Sequence, residues 1–445
     1  MQISLSDHFT YKKLFRFTLP SVAMMIFTSI YCVVDGFFVS NFAGDTAFTA
    51  VNFIYPVIMI LGSFGFMFGA GGSALIGKTL GEENPKRANR LFSLFVYTSI
   101  LCGLALGIIG CLAVRPIAQR MGAEGELLEL CVQYARISLA ALPAFMLQFE
   151  FQSFFIVAEK PNLGLITTLC AGCANMLLDG LFVGILDWSV AGAALATATS
   201  QCIGATIPLV YFFCPNTSRL RLCKTRFDGK ALLKACTNGS SDLMNNVAMA
   251  LVGMLYNVQL MALANNDGVA AYGVLMYVCM IFNAIFIGYA VGVAPVISFH
   301  FGAKNQDELK SLLKKSCVVI ILSSIVMFAL SESLSYPFSK LFVGYKPELF
   351  EMTKRAFVLF STCYLFMGLS IYFSAFFTAL NDGLTSAIIA FLRTLVFQSA
   401  AVLLLPLLFH QPLDGVWISV TFAEGMAMIV SLILLFAKRK KFGYL

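Results

Sequence analysis

The chain has 445 residues, 59% of them hydrophobic and only 12% charged, with 43 phenylalanines and a formal net charge of +7. Soluble domains carry about 25% charged residues, so this composition excludes a water-soluble globular fold. The chain is expected to dissolve in lipid.

A bilayer-spanning helix needs about 20 apolar residues at ~1.5 Å rise each. Stretches of that length recur at 14–40, 50–76, 91–113, 132–157, 162–186, 189–213, 236–263, 270–299, 314–334, 356–380, 384–409 and 413–437. The expected fold is therefore an all-α integral membrane protein with twelve transmembrane helices. The first stretch is too long for a cleavable signal and has no small-residue cleavage pattern behind a short core, so it reads as the first span.

Lys and Arg are retained in short cytoplasmic loops. With both termini placed on that side, 22 of the 30 basic residues fall there and seven fall outside, the remaining one being Arg393 within span 11. The split predicts a multi-pass protein of the cytoplasmic (plasma) membrane with both termini cytoplasmic. The positive charge is then a topology signal, and no nucleic-acid partner is implied. The expected partners are the lipid bilayer and a small amphipathic substrate, with the chain acting as a monomer.

Sliding the sequence on itself by 221 residues superposes Gly71 on Gly292, Ile76 on Ile297, Gly81 on Gly302, Asn84 on Asn305, Leu91 on Leu312 and Ala135 on Ala356. Six spans per copy give both copies the same orientation, related by a pseudo-two-fold axis along the membrane normal. The expected division is an N-lobe at 1–214, a basic cytoplasmic linker at 215–234 and a C-lobe at 235–445.

Asp35, Asn175, Asp179 and Thr197 are polar residues inside apolar spans. From the span boundaries Asp35, Asp179 and Thr197 lie roughly 7–12 Å below the outer edge, with Asn175 one helical turn deeper than Asp179. An ionisable side chain left in hydrocarbon costs ~2.5 kcal/mol or more, so it faces a cavity, a partner or an ion. Asn175 and Asp179, four apart, share one helix face. The group reads as a proton or cation site, and its oxygens suit either H+ or Na+; the blander reading is hydrogen bonding between helices. Arg393 and Glu424 sit at matching depths in spans 11 and 12 and are expected to form a structural ion pair. Glu150 in span 4 either draws a cationic substrate into a cavity or snorkels to the surface. Asp242, Asn245 and Asn246 read as interfacial or lobe-bridging groups. Tyr256, Met280 and several phenylalanines of span 4, among them Phe145, Phe149 and Phe151, are candidates to line an adaptable cavity.

The 13 cysteines fall mostly within apolar segments, where Cys is a small hydrophobe. The Cys170/Cys173 pair has no His or basic neighbour and reads as small-residue packing. There is no H-E-x-x-H, G-x-S-x-G or Walker pattern, and His8, His300 and His410 are the only histidines. Neither an enzyme nor an ATP-driven pump is expected, and no cofactor beyond the coupling ion. A lipid-linked oligosaccharide flippase is the alternative; it calls for several basic residues in the cavity, and only Arg393 is available.

The run Asn175-Met176-Leu177-Leu178-Asp179, followed by Gly192-Ala193-Ala194-Leu195-Ala196-Thr197 and Ser200-Gln201, resembles the span 5 and 6 signature of multidrug and toxic compound extrusion (MATE) transporters. Span 1, with Leu19-Pro20 early and Val34-Asp35 late, is similar to that family, as is the loop from Gly81 to Ala88. The resemblance covers essentially the whole chain. It implies a V of two six-helix lobes that exports amphipathic, often cationic compounds against an inward flow of H+ or Na+. It also implies that Asp35, Asn175, Asp179 and Thr197 form the N-lobe cation site and that Pro20 is the bending proline of span 1. Pro20 removes the donor to the carbonyl of Arg16, which fits either a moving bend or a static kink. The chain departs from part of the family in having no second evident Asp pair in the C-lobe.

Overall fold

The computed structural model describes residues 3–344 and 346–444, and its regular structure among those residues is entirely helical. The N-lobe is built from α1 (Tyr11–Phe38), α2 (Asp45–Gly81), α3 (Pro85–Arg120), α4 (Gly125–Ala140), α5 (Leu142–Val157), α6 (Pro161–Asp179) and α7 (Ser189–Phe213). The C-lobe is built from α8 (Gly229–Gly302), α9 (Gln306–Val343), α10 (Pro347–Ser361), α11 (Tyr364–Ala379), α12 (Gly383–Phe391), α13 (Gln398–Leu408) and α14 (Pro412–Phe442).

These helices make twelve crossings. Nine helical stretches among the described residues are long and apolar enough to span a membrane, α12 and α13 together forming one of them. The pairs α4–α5 and α10–α11, bent by 55° and 47°, add one crossing each. α8 is 74 residues long, far beyond one bilayer thickness. It leaves helical geometry at Ala264 (φ −141°, ψ 15°) and Asn265 (φ 51°, ψ −146°) and so supplies two crossings. Its start lies at Gly229 because the Asp228 side chain accepts from the amides of Lys230 and Ala231, both at 3.1 Å. The last six residues of the stretch read as linker, 229–234, are therefore helical.

The 221-residue repeat is a repeat of contacts as well as of letters. Asn84 and Asn305 each cap the next helix by accepting an amide three residues on, from Arg87 and Glu308, at 3.1 Å in both lobes. Glu83 and Lys304 just before them share φ 56°. Gly81 and Gly302 meet back to back: a Cβ on Gly81 would lie 2.0 Å from the Phe299 carbonyl oxygen, and one on Gly302 would lie 2.0 Å from that of Lys78. Further along α2, against the first half of α8, Gly71 and Gly239 press on the Ala235 and Met67 carbonyls in the same way.

These crossings lie at the end that carries both chain termini. One apolar core there runs through both lobes, from Leu5, Phe9, Phe92 and Phe154 to Phe299, Phe376 and Tyr444. At the opposite end the core divides, with Ile54, Val132, Met146 and Val183 in the N-lobe and Val278, Phe360, Trp417 and Val420 in the C-lobe. The molecule is thus a V that opens away from its termini.

A carboxyl pair in the N-lobe

Asp35 and Asp179 occupy equivalent local settings. Asp35 lies four residues before a π-helical turn, Val39–Ala43, and Asp179 is the last α-helical residue before another, Gly180–Ile185. A π turn shifts the i→i−4 ladder by one residue and so re-aims the carbonyls and side chains around it. At Val39 the backbone N–H is shared between the carbonyls of Asp35 and Gly36. The ring of Trp188 stacks on Phe182 at 5.1 Å, and Gly192 lets α7 approach to where a Cβ would touch the Phe182 backbone at 3.0 Å. Thr197 lies further along the same helix, α7.

The structure brings the two acids together: their carboxyls are within hydrogen-bonding reach of each other. Asp179 is fully buried, and among the described residues no side chain or amide donates to either of its oxygens or to Asp35 Oδ1. The buried side-chain atoms of Asn175 and the Thr197 hydroxyl also have no formed hydrogen bond. Four polar groups thus stand unpaired within one apolar lobe, where each costs roughly 1–3 kcal/mol if left so. Helix-to-helix hydrogen bonding would have satisfied them. The arrangement can bind a proton or a small cation.

Three tyrosines around the pair were not evident from the sequence. Tyr31, Tyr134 and Tyr55 of α2 are within electrostatic range of Asp35, and Tyr134 also of Asp179. Tyr31 lies beside Gln148 of α5 without a formed hydrogen bond to its Oε1. Only its i, i+4 spacing from Asp35 marks it in the sequence.

The other candidates are dispersed. Pro20 is buried where α1 crosses α8, with Gly292 close against Thr18 and Ser21 and Gly288 against Val22; α1 runs through it as one helix. Met280 is half-buried at the same crossing, its carbonyl facing the Ser29 hydroxyl at 3.5 Å. Tyr256 is not free to line a cavity: it is buried, stacked on Tyr272 at 5.2 Å, and its hydroxyl is engaged with Ser419 at 2.6 Å. Glu150 does not line the cleft either. It is 0% exposed and turned into the N-lobe, its backbone close under Gly69 of α2 and its carboxyl facing Ser99 of α3 without a formed hydrogen bond. Phe151, Phe154 and Phe155 are core residues, and Phe145 and Phe149 stack with Phe66 between α5 and α2.

Arg393 and Glu424 are paired, with Nε 2.9 Å from both carboxylate oxygens and both residues buried. Arg393 lies in the third π turn, Leu392–Phe397. Asp242, one turn beyond Gly239 on α8, is partly exposed where α2 and α8 begin to part, and among the described residues no basic group pairs with it. Its neighbours Asn245 and Asn246 lie on the same turn, the Asn246 amide donating to the Asp242 carbonyl at 2.8 Å.

The sequence profile described as MatE matches residues 20–181 and 243–402, one segment in each lobe. The chain belongs to the MatE family. It is 25% identical over 440 residues to the multidrug export protein MepA of Staphylococcus haemolyticus (strain JCSC1435), covering 97% of this chain and 94% of that one. A crystal structure of a MATE in complex with MaL6 superposes with a TM-score of 0.93 at 20% identity over 98% of both chains. The outward-facing conformation of a multidrug resistance MATE transporter of the MOP superfamily superposes at 0.92, again at 20% identity and 98% of both chains. The fold is thus the two-lobed, twelve-helix MATE fold, and the protein is a multi-pass membrane transporter.

Proposed function

We propose that this MATE transporter is a secondary active multidrug exporter that releases amphipathic cations against an inward flow of protons taken up by Asp35 and Asp179. The observation that carries the reading is that two neighbouring carboxyls of an apolar lobe have buried oxygens without a hydrogen-bond donor among the described residues. Two such groups cannot both remain charged side by side, and a shared proton removes the repulsion. Cationic substrates are supported by Asp242, an unpaired acid near the apex of the V. The relatives named for multidrug export support the substrate class. The excess of Lys and Arg at the terminus-bearing end supports a cytoplasmic placement of both termini in the plasma membrane.

Engagement of Arg393 by Glu424 within the C-lobe argues against the flippase alternative, since it leaves that guanidinium unavailable to a pyrophosphate. Dye efflux from proteoliposomes with an imposed pH or Na+ gradient tests the proposal. Efflux driven by the pH gradient alone is expected; efflux driven only by Na+ would transfer the coupling to Na+ at Asp35, Asn175, Asp179 and Thr197, and no efflux under either gradient would end the export reading.

A further inference from the structure

We propose that residues 3–9 form a latch that clips the terminus-bearing ends of the two lobes together and must leave the C-lobe each time that end opens. The inference rests on the transport reading only in requiring that this end open at all.

The segment is pinned twice. On the N-lobe side Leu5 donates its backbone N–H to Glu159 at 2.7 Å, and the Ser4 hydroxyl donates to the same oxygen at 2.8 Å. Arg219 braces the joint, 3.3 Å from Glu159 and 3.0 Å from the Ser4 hydroxyl. Four residues later the chain is held by the C-lobe. Phe9 donates its backbone N–H to one oxygen of Glu308 at 2.9 Å, His8 Nδ1 lies 2.6 Å from the other, and Lys315 donates to the Phe9 carbonyl at 2.5 Å. Leu5 and Phe9 are both fully buried, and the Phe9 ring meets Phe17 edge-on at 5.8 Å. α1 then begins at Tyr11 and returns the chain to the N-lobe.

Comparison of the two repeats isolates what is particular to this joint. The lead-in to the C-lobe also crosses to the opposite lobe: the amides of Arg221 and Cys223 donate to Asn89 and Ser93 of α3 at 2.7 and 2.8 Å, and the Thr225 hydroxyl donates to the Arg90 carbonyl at 2.9 Å. Those bonds are all to neutral acceptors. Under the 221-residue offset the position of Glu308 is held in the N-lobe by Arg87, so at this repeat position a carboxylate is present in the C-lobe alone. Charge-assisted hydrogen bonds are roughly twice as strong as neutral ones.

The geometry makes the latch and the gate one event. Residues 3–9 reach both lobes at the end where Gly81 meets Gly302. Only one residue, Thr10, separates Phe9 from the start of α1, which leaves at most ~7 Å of extended chain to absorb a separation of the lobes.

Amide hydrogen exchange of the full chain in lipid nanodiscs, without drug or ion gradient, tests this. The variant is Glu308→Gln, which keeps shape at the third residue of α9 and removes the charge. The expected result is about tenfold faster exchange at Leu5 and Phe9, the loss of ~1.4 kcal/mol, accompanied by faster exchange at the helix ends 78–84 and 299–305. His8→Ala, on the exposed side of the joint, should move both regions in the same direction by less, and replaces Glu308→Gln if that variant does not fold. Faster exchange of residues 3–9 with 78–84 and 299–305 at the wild-type rate would overturn the latch and leave a passive tail. So would unchanged exchange of residues 3–9. Because the readout needs no transport, a failure of efflux in liposomes with the exchange response intact counts against the export reading alone.

Discussion

Asp35 at the end of α1 and Asp179 at the end of α6 face one another with their carboxyls in hydrogen-bonding reach, each placed just ahead of a π-helical turn. Among the described residues no basic group pairs with either acid, in contrast to Glu424, which Arg393 holds from a third π turn. The C-lobe position related to Asp35 by the 221-residue offset is Tyr256, whose hydroxyl is occupied by Ser419. At these matched depths of the two lobes the N-lobe acids are therefore left without a basic partner, and Glu424 and Tyr256 in the C-lobe are engaged. Asp35→Asn and Asp179→Asn are each expected to reduce gradient-driven efflux to that of protein-free liposomes while membrane insertion and yield stay normal. Wild-type efflux by either variant would remove that residue from the coupling site.

The same pair predicts how substrate binding responds to pH. Each proton taken up removes negative charge from the lobe, so acidification weakens the attraction for a cation and favours its release. The affinity of the detergent-solubilised protein for a cationic dye should fall as pH goes from about 8 to about 6, the pair titrating as a unit. Asp179→Asn should flatten the curve. An affinity independent of pH in the wild type, with transport intact, contradicts competition with protons and favours Na+.

For Arg393 and Glu424, breaking the pair differs from removing it. With both oxygens 2.9 Å from the guanidinium Nε and both residues buried, a single truncation leaves a bare charge in low dielectric, at a cost of about 3–5 kcal/mol. Arg393→Ala should accordingly lower expression and the detergent melting temperature more than the double change Arg393→Gln with Glu424→Gln, in which no charge remains. Equal losses in both proteins would mean that the pair is not what holds α12, α13 and α14 in place.

Much of this was legible before the coordinates. Twelve spans follow from apolar length, and the 221-residue offset emerged as matched caps at Asn84 and Asn305 and matched glycine contacts at Gly81 and Gly302. Asp35 and Asp179 stand out because an ionisable group in hydrocarbon is conspicuous. Glu150 is equally conspicuous, yet its direction is set by which face of α5 meets α2 and α3, which span-level depth does not encode. Tyr55 and Tyr134 were hidden because a tyrosine in an apolar helix is ordinary and becomes notable only beside a carboxyl from another helix, and Tyr31 was marked only by its i, i+4 spacing from Asp35. The latch was hidden for the opposite reason: residues 3–9 are short and mostly polar, and their role depends on Glu159 and Glu308, over 150 and about 300 positions away.

The last prediction concerns the crossing itself. Gly302 approaches the Lys78 carbonyl so closely that a Cβ would lie 2.0 Å from it, and the contact is with backbone, which cannot rotate aside. Gly302→Ala therefore forces the ends of α2 and α8 apart in the closed arrangement but costs little once the lobes have separated there. Overpacking of this kind costs ~1–3 kcal/mol, which shifts the balance between the two arrangements by roughly 5- to 150-fold toward opening at the terminus-bearing end. Gly253, on the same helix with nothing within 4 Å of its would-be Cβ, supplies the control: Gly253→Ala should be neutral or mildly stabilising, since Ala is favoured over Gly in a helix by about 1 kcal/mol. Spin labels on α3 and α9 near their first turns would report the separation of the lobes at that end. A broadened or longer distance distribution for Gly302→Ala with Gly253→Ala unchanged is the expected result, and identical distributions in the two variants and the wild type would mean that this crossing does not set which end of the V is open.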